Sequence, residues 1–109
     1  GDCTEHMIFY FTLLKNHNVT LQGYQVEFGG GLVDHVFVAG KFDNKYLLAD
    51  GKRLVLMDDF SKAFTYFLPN VPDVAKIKRV DIERFRNGIY DNAFDSEITL
   101  KDSQQIAPE

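Results

Sequence analysis

The chain of 109 residues contains no tryptophan, a single cysteine and only three prolines. No apolar run approaches the ~20 residues of a membrane-spanning helix. One cysteine excludes an internal disulfide framework and leaves a buried thiol, a reactive thiol or an intermolecular bridge. Basic residues are outnumbered, 12 Lys+Arg against 16 Asp+Glu, for a net charge of −4. That balance, without a basic stripe, argues against a nucleic-acid partner. The three histidines, His6, His17 and His35, share no metal-site spacing with Cys3, which argues against zinc, and no cofactor is expected. No signal peptide, internal repeat or low-complexity segment is visible. What is present, 45% hydrophobic residues and well-mixed charge, suffices for one domain with one core.

The first stretch, DCTEHMIFYFTLLKN, predicts an amphipathic helix. Met7, Phe11 and Leu14 form its stripe, broadened by Ile8 and Tyr10. Asp2 and Glu5 resemble a capping box, which makes Cys3 the first helical residue, and Asn16 and Asn18 end the helix. VTLQGYQVEF alternates as a strand, with Gly23 a candidate bulge. GGG at 29–31 is a turn, LVDHVFVAG a second strand and KYLLADG a third. A four-residue loop at 41–44 would place His35 opposite Asp50. A loop one residue shorter or longer would make the contact diagonal, so a His–carboxylate neighbourhood is favoured without a fixed register. KRLVLM predicts a fourth strand, and DDFSKAFTYFLP a helix capped by Asp59 or Ser61 and stopped before Pro69. Phe64, Tyr66 and Phe67 are expected in the core. Residues 72–88 fit a helix starting near Pro72, although KRVDIERF also reads as a strand, and KIKR at 76–79 reads as a solvated face. GIYDNAF and SEITLK are candidate short strands, and DSQQIAPE is expected to be a loose tail.

The thiolate is the reactive form of cysteine, and a free thiol with pKa ~8.5 is mostly protonated at neutral pH. A helix start favours the anion, a histidine accepts the proton, and a carboxylate orients the histidine. Cys3, His35 and Asp50 offer those three parts. Each also has a plainer reading: a buried small hydrophobe, a hydrogen-bonded strand histidine and a turn residue before Gly51.

GDCTEH followed by an apolar helix resembles the nucleophile segment of the transglutaminase-like superfamily, which has the papain-like cysteine enzyme fold. DHVFVAGKFDNKYLLADG resembles that family's histidine–aspartate hairpin. The resemblance covers residues 1 to about 56. It implies an α+β fold with the cysteine helix packed on an antiparallel β-sheet. It further implies Cys3 as nucleophile, His35 as general base and acid, and Asp50 as the orienting residue. Residues 1–68 would form this catalytic core, and 69–109 a C-terminal extension of the same domain. His6, a turn from Cys3, either tunes the thiol or packs the helix, and Glu5 is a helix-start carboxylate.

Several features depart from the family pattern. Val36, Phe37 and Tyr46 stand where members commonly carry tryptophans, and Gly51 replaces the usual proline. The helical segment that normally precedes the nucleophile and often supplies an oxyanion donor is missing ahead of Cys3, so either residues 1–109 are a piece of a larger parent chain or part of the site comes from another segment. Such a donor is worth ~3 kcal/mol of the barrier. The implied activity is acyl transfer or hydrolysis at a peptide or carboxamide bond through a thioester, with a protein or peptide substrate. Peptidase or amidase chemistry is favoured over cross-linking. The alternative is a non-catalytic domain of the same fold used for protein interaction.

Overall fold

The computed structural model describes residues 3–17, 20–27, 35–51, 53–68, 76–88 and 94–108. Helix α1 (Cys3–Leu14) precedes strands β1 (Thr20–Glu27), β2 (His35–Phe42), β3 (Lys45–Ala49) and β4 (Leu54–Met57). Helix α2 (Phe60–Phe67), strand β5 (Lys76–Val80), helix α3 (Ile82–Arg86), strand β6 (Phe94–Thr99) and a 3₁₀ segment (Leu100–Ile106) follow. The six strands form one antiparallel sheet in the order β4-β3-β2-β1-β5-β6. The chain is therefore α+β, as the sequence predicts at this coarse level. The Asp2 cap and the GGG turn lie outside the described residues.

Both faces of the sheet are covered. On one face Tyr24, Val26, Phe37, Ala39, Leu48, Val55 and Ile77 pack against Phe60, Ala63, Phe64 and Phe67 of α2 and Ile106 of the 3₁₀ segment. Phe37 is the hub of this layer, with ring centroids 5.6 Å from Tyr24, 5.3 Å from Phe64 and 5.2 Å from Phe67. On the other face Met7 of α1 and Ile82 of α3 pack on Val36, Val38, Ala49 and Val80, with Ile8, Tyr10 and Phe11 partly buried beside them. Met7, Ile8, Tyr10 and Phe11 of the predicted α1 stripe thus meet the sheet, while Phe9 and Leu13 remain exposed.

Local chemistry explains the element ends. Asp59 caps α2, its Oδ1 accepting from Lys62 N at 2.8 Å. Asp81 accepts from Arg84 N at 3.1 Å at the start of α3. The second cap corrects the expected helix from Pro72. Residues 76–80 are a strand paired to both β1 and β6, and the chain turns helical only after Asp81. KIKR is accordingly no solvated helical face, because Ile77 is fully buried and Lys78 Nζ bonds Glu27 Oε1 at 2.6 Å. Of the predicted α2 core residues, Phe64 and Phe67 are buried but Tyr66 is exposed. The expected strand SEITLK is met by β6, which spans FDSEIT, whereas most of the expected strand GIYDNAF lies outside the described residues.

The expected loose tail is also corrected. Residues 100–106 form a 3₁₀ segment that buries Ser103 and Ile106. Gln104 Oε1 accepts from Phe60 N at 3.0 Å and Ser61 N at 3.4 Å, capping α2 from far along the chain. Ser103 Oγ lies 2.9 Å from Ser61 Oγ, and Tyr24 Oη donates to Ile106 O at 2.5 Å. These polar partners keep the segment in place where its sequence alone reads as tail.

Gly23 is no bulge, since its pairing runs unbroken to Val38 on one side and Val80 on the other. A Cβ there would lie 2.7 Å from both Ile82 Cγ1 and Val80 Cγ2 and 3.2 Å from Met7 Sδ. The glycine lets α1 and α3 approach the sheet closely. Gly23→Ala should destabilise the fold by ~1–3 kcal/mol through overpacking, read as a lower urea midpoint at unchanged m-value. An unchanged midpoint would mean that the two helices accommodate the methyl freely.

Candidate active site

The β2–β3 hairpin is closed by Asp43 and Asn44, with φ of 53° and 66°. Two consecutive left-handed residues are the signature of a type I′ turn, which Asp and Asn tolerate and whose twist matches the flanking strands. Phe42 therefore pairs with Lys45, and the register continues to Val38 opposite Ala49. This corrects the expected four-residue loop at 41–44, since Lys41 and Phe42 belong to the strand. The shift is two residues, an even number, so every side chain keeps its face. Carried one step on, the register puts Asp50 opposite Phe37 and makes His35 its diagonal neighbour.

The diagonal contact is made. His35 Nε2 lies 3.1 Å from Asp50 Oδ2. Asp50 is buried, at 8% exposed. Its Oδ1 accepts from Arg53 N at 3.2 Å, and its own N–H donates to Arg53 O at 3.0 Å. The Arg53 guanidinium stands 3.8 Å from Oδ2 and 4.8 Å over the Phe67 ring. The His35 ring stacks on Phe37 at 6.1 Å and 22°. A carboxylate only accepts, so the short contact assigns the His35 proton to Nε2 and leaves Nδ1 with its lone pair. No described residue bonds Nδ1.

Cys3 is the first residue of α1, with Glu5 in the same turn. Its thiol lies outside the described side chains, so the structure brings together two of the three predicted site residues, His35 and Asp50. The first turn of α1 nevertheless reaches their end of the sheet. His6, one turn after Cys3, rests on Gly51, where a Cβ would stand 2.3 Å from the imidazole Cε1 and Nδ1. Gly51, next to Asp50, is needed for that approach. Strand alternation puts His35 and Asp50 on the α2 face, with Phe37 and Leu48, whereas α1 lies on the other.

Sequence reasoning missed two supporting residues. Arg53 pins Asp50 across the tight β3–β4 connection, and Phe37 seats the His35 ring. Asp50–Gly51 reads as a turn pair and Arg53 as part of the strand KRLVLM, which hides the bond between Arg53 and Asp50. Among the described residues no group of three or more His, Cys, Asp or Glu is placed to hold a metal, and no helix is long and apolar enough to cross a membrane. No known family model, curated protein or solved structure matches the chain.

The geometry predicts the effect of Asp50→Asn. The amide oxygen should keep the Arg53 N–H, which turns the amide NH₂ toward His35. Nε2 must then accept, and the proton should move to Nδ1. Long-range ¹H–¹⁵N imidazole spectra should show the Nε2–H form in the parent and the Nδ1–H form in the variant. Identical tautomers would show that Asp50 does not orient the ring.

Proposed function

We propose that this chain carries the core of a transglutaminase-like cysteine enzyme. In this reading α1 and the antiparallel sheet correspond to the papain-like arrangement of cysteine helix and histidine–aspartate hairpin. The observation that carries the reading is the His35 Nε2–Asp50 Oδ2 contact of 3.1 Å at the end of the sheet reached by the first turn of α1. Asp50 holds His35 in the tautomer whose free Nδ1 accepts a proton. Cys3 gives its proton to that nitrogen, and the thiolate attacks a carboxamide or peptide carbonyl. His35 then returns the proton to the departing ammonia or amine, leaving a thioester. Water or an amine resolves the thioester, and hydrolysis of a peptide or amide is favoured over cross-linking.

One observation favours a second reading, a non-catalytic domain of the same fold used for protein interaction. The His35–Asp50 pair and α1 lie on opposite faces of the sheet. In that reading the pair is structural, and Cys3 behaves as an ordinary thiol.

Iodoacetamide separates the two. In the enzyme reading Cys3 alkylates faster than glutathione at pH 6.5, and His35→Ala removes the advantage. With glutamine-containing peptides, Cys3→Ser abolishes ammonia release or cleavage, and His35→Ala lowers it by ~10²–10⁴-fold. Alkylation no faster than glutathione and indifferent to His35 supports the interaction domain instead.

A further inference from the structure

Strand β4 is one edge of the sheet, and among the described residues nothing pairs with its outer side. Edge strands are usually protected by charge, proline or a bulge within the strand. Leu54–Met57 carries none of these, and its pairing to β3 is regular. Its apolar side chains are also open to solvent. Leu54 is 59% exposed and Leu56 47%, both on the face away from α2, since Val55 packs with the α2 core. On the α2 face a groove of about 480 Å³ opens between Met57 and Ser61, Lys62, Thr65 and Tyr66. Tyr66 there is 72% exposed. Three of the six exposed large hydrophobic residues among those described thus lie on or beside β4, with Leu54 and Leu56 adjacent on one face.

The charge pattern says what covers this edge. The sequence reads KRLVLMDD, two basic residues, four apolar ones and two acidic ones. Read antiparallel to itself, that segment is self-complementary, because the basic entry of one strand runs beside the acidic exit of the other. A parallel arrangement would put like charges side by side. The backbone agrees. Asp50 N–H bonds Arg53 O, so Arg53, Val55 and Met57 direct their peptide groups toward β3. Leu54 and Leu56 therefore direct theirs outward.

We propose that β4 pairs antiparallel with β4 of a second copy of this chain, about a two-fold axis at Val55, joining two six-stranded sheets into one. Such an axis is perpendicular to the sheet and keeps each face continuous, so only residues of the same alternation can stand opposite one another. With Val55 on the axis, Leu54 of one copy faces Leu56 of the other, and their outward N–H and C=O groups bond reciprocally. The four leucines cover one another on the α1 face, and Asp58 of each copy comes level with the basic entry of the other. The contact is short, so the dimer is of the weak, concentration-dependent class.

Sedimentation velocity of the full chain over about 10 μM to 1 mM tests this in the range where weak dimers exchange with monomers. The expected result is a shift from monomer to dimer mass with concentration, weakened by added salt. Leu56→Lys, the charge that edge strands use for protection, should raise the dissociation constant by at least ~10-fold. Leu13→Ser, on the exposed side of α1, should leave it unchanged. Circular dichroism checks that the Leu56 variant folds, and Leu56→Thr replaces it if it does not. Monomer mass throughout, or a dimer indifferent to Leu56 replacement, leaves the edge to another occupant, such as an extended segment of a different protein, and overturns the proposal.

Discussion

Two residues with positive φ, Asp43 and Asn44, set the register on which the rest of the molecule depends. β2 is buried on both faces from Val36 to Gly40, so its alternation is committed twice. A slip of one residue would exchange Phe37 and Ala39, which fill the α2 layer, for Val36 and Val38, which fill the α1 layer. Truncating a buried phenylalanine alone costs ~3–5 kcal/mol, and a slip would displace the whole strand. The same register brings Asp50 within reach of His35. The tight turn thus serves packing and site geometry together.

The site is supported by two separate cores. His35 and Asp50 are held from the α2 layer, through the stacked Phe37 ring and through Arg53 lying over Phe67. The first turn of α1 is held from the opposite layer, through Met7 seated at Gly23 and His6 resting on Gly51. Glycine acts at both places by its lack of a side chain, and each marks a close approach of a helix to the sheet. The relative position of the helix start and the histidine therefore depends on the thickness and twist of the sheet between them.

What was legible in the sequence was local. The spacing of Met7 and Phe11, the Asp59 cap, the alternation of β1 and the short apolar runs of β2 to β4 each state their structure within a few residues. The His35–Asp50 neighbourhood was legible because a register error of two preserves faces. What was not legible depends on distant partners. Lys76–Val80 is too short to distinguish strand from helix until β1 and β6 flank it, and Asp81 then restarts the chain as a helix. Gly23 looks like a bulge unless Ile82 and Met7 are known to press on it. Ser103 and Gln104 look like tail residues because their partners, Ser61 and Phe60, are more than forty positions away. For the site, the missing information was which face each part occupies.

The Gln104 cap has a consequence for the order of folding. An eight-residue helix is too short to persist alone in water. Asp59 satisfies only part of its first turn, and the N–H groups of Phe60 and Ser61 wait for a side chain that follows β6. During vectorial synthesis the first turn of α2 therefore stays incompletely capped until residues 100–106 have emerged. A protease that removed those residues would uncap the start of α2 and bare Tyr24 Oη without touching the His35–Asp50 pair.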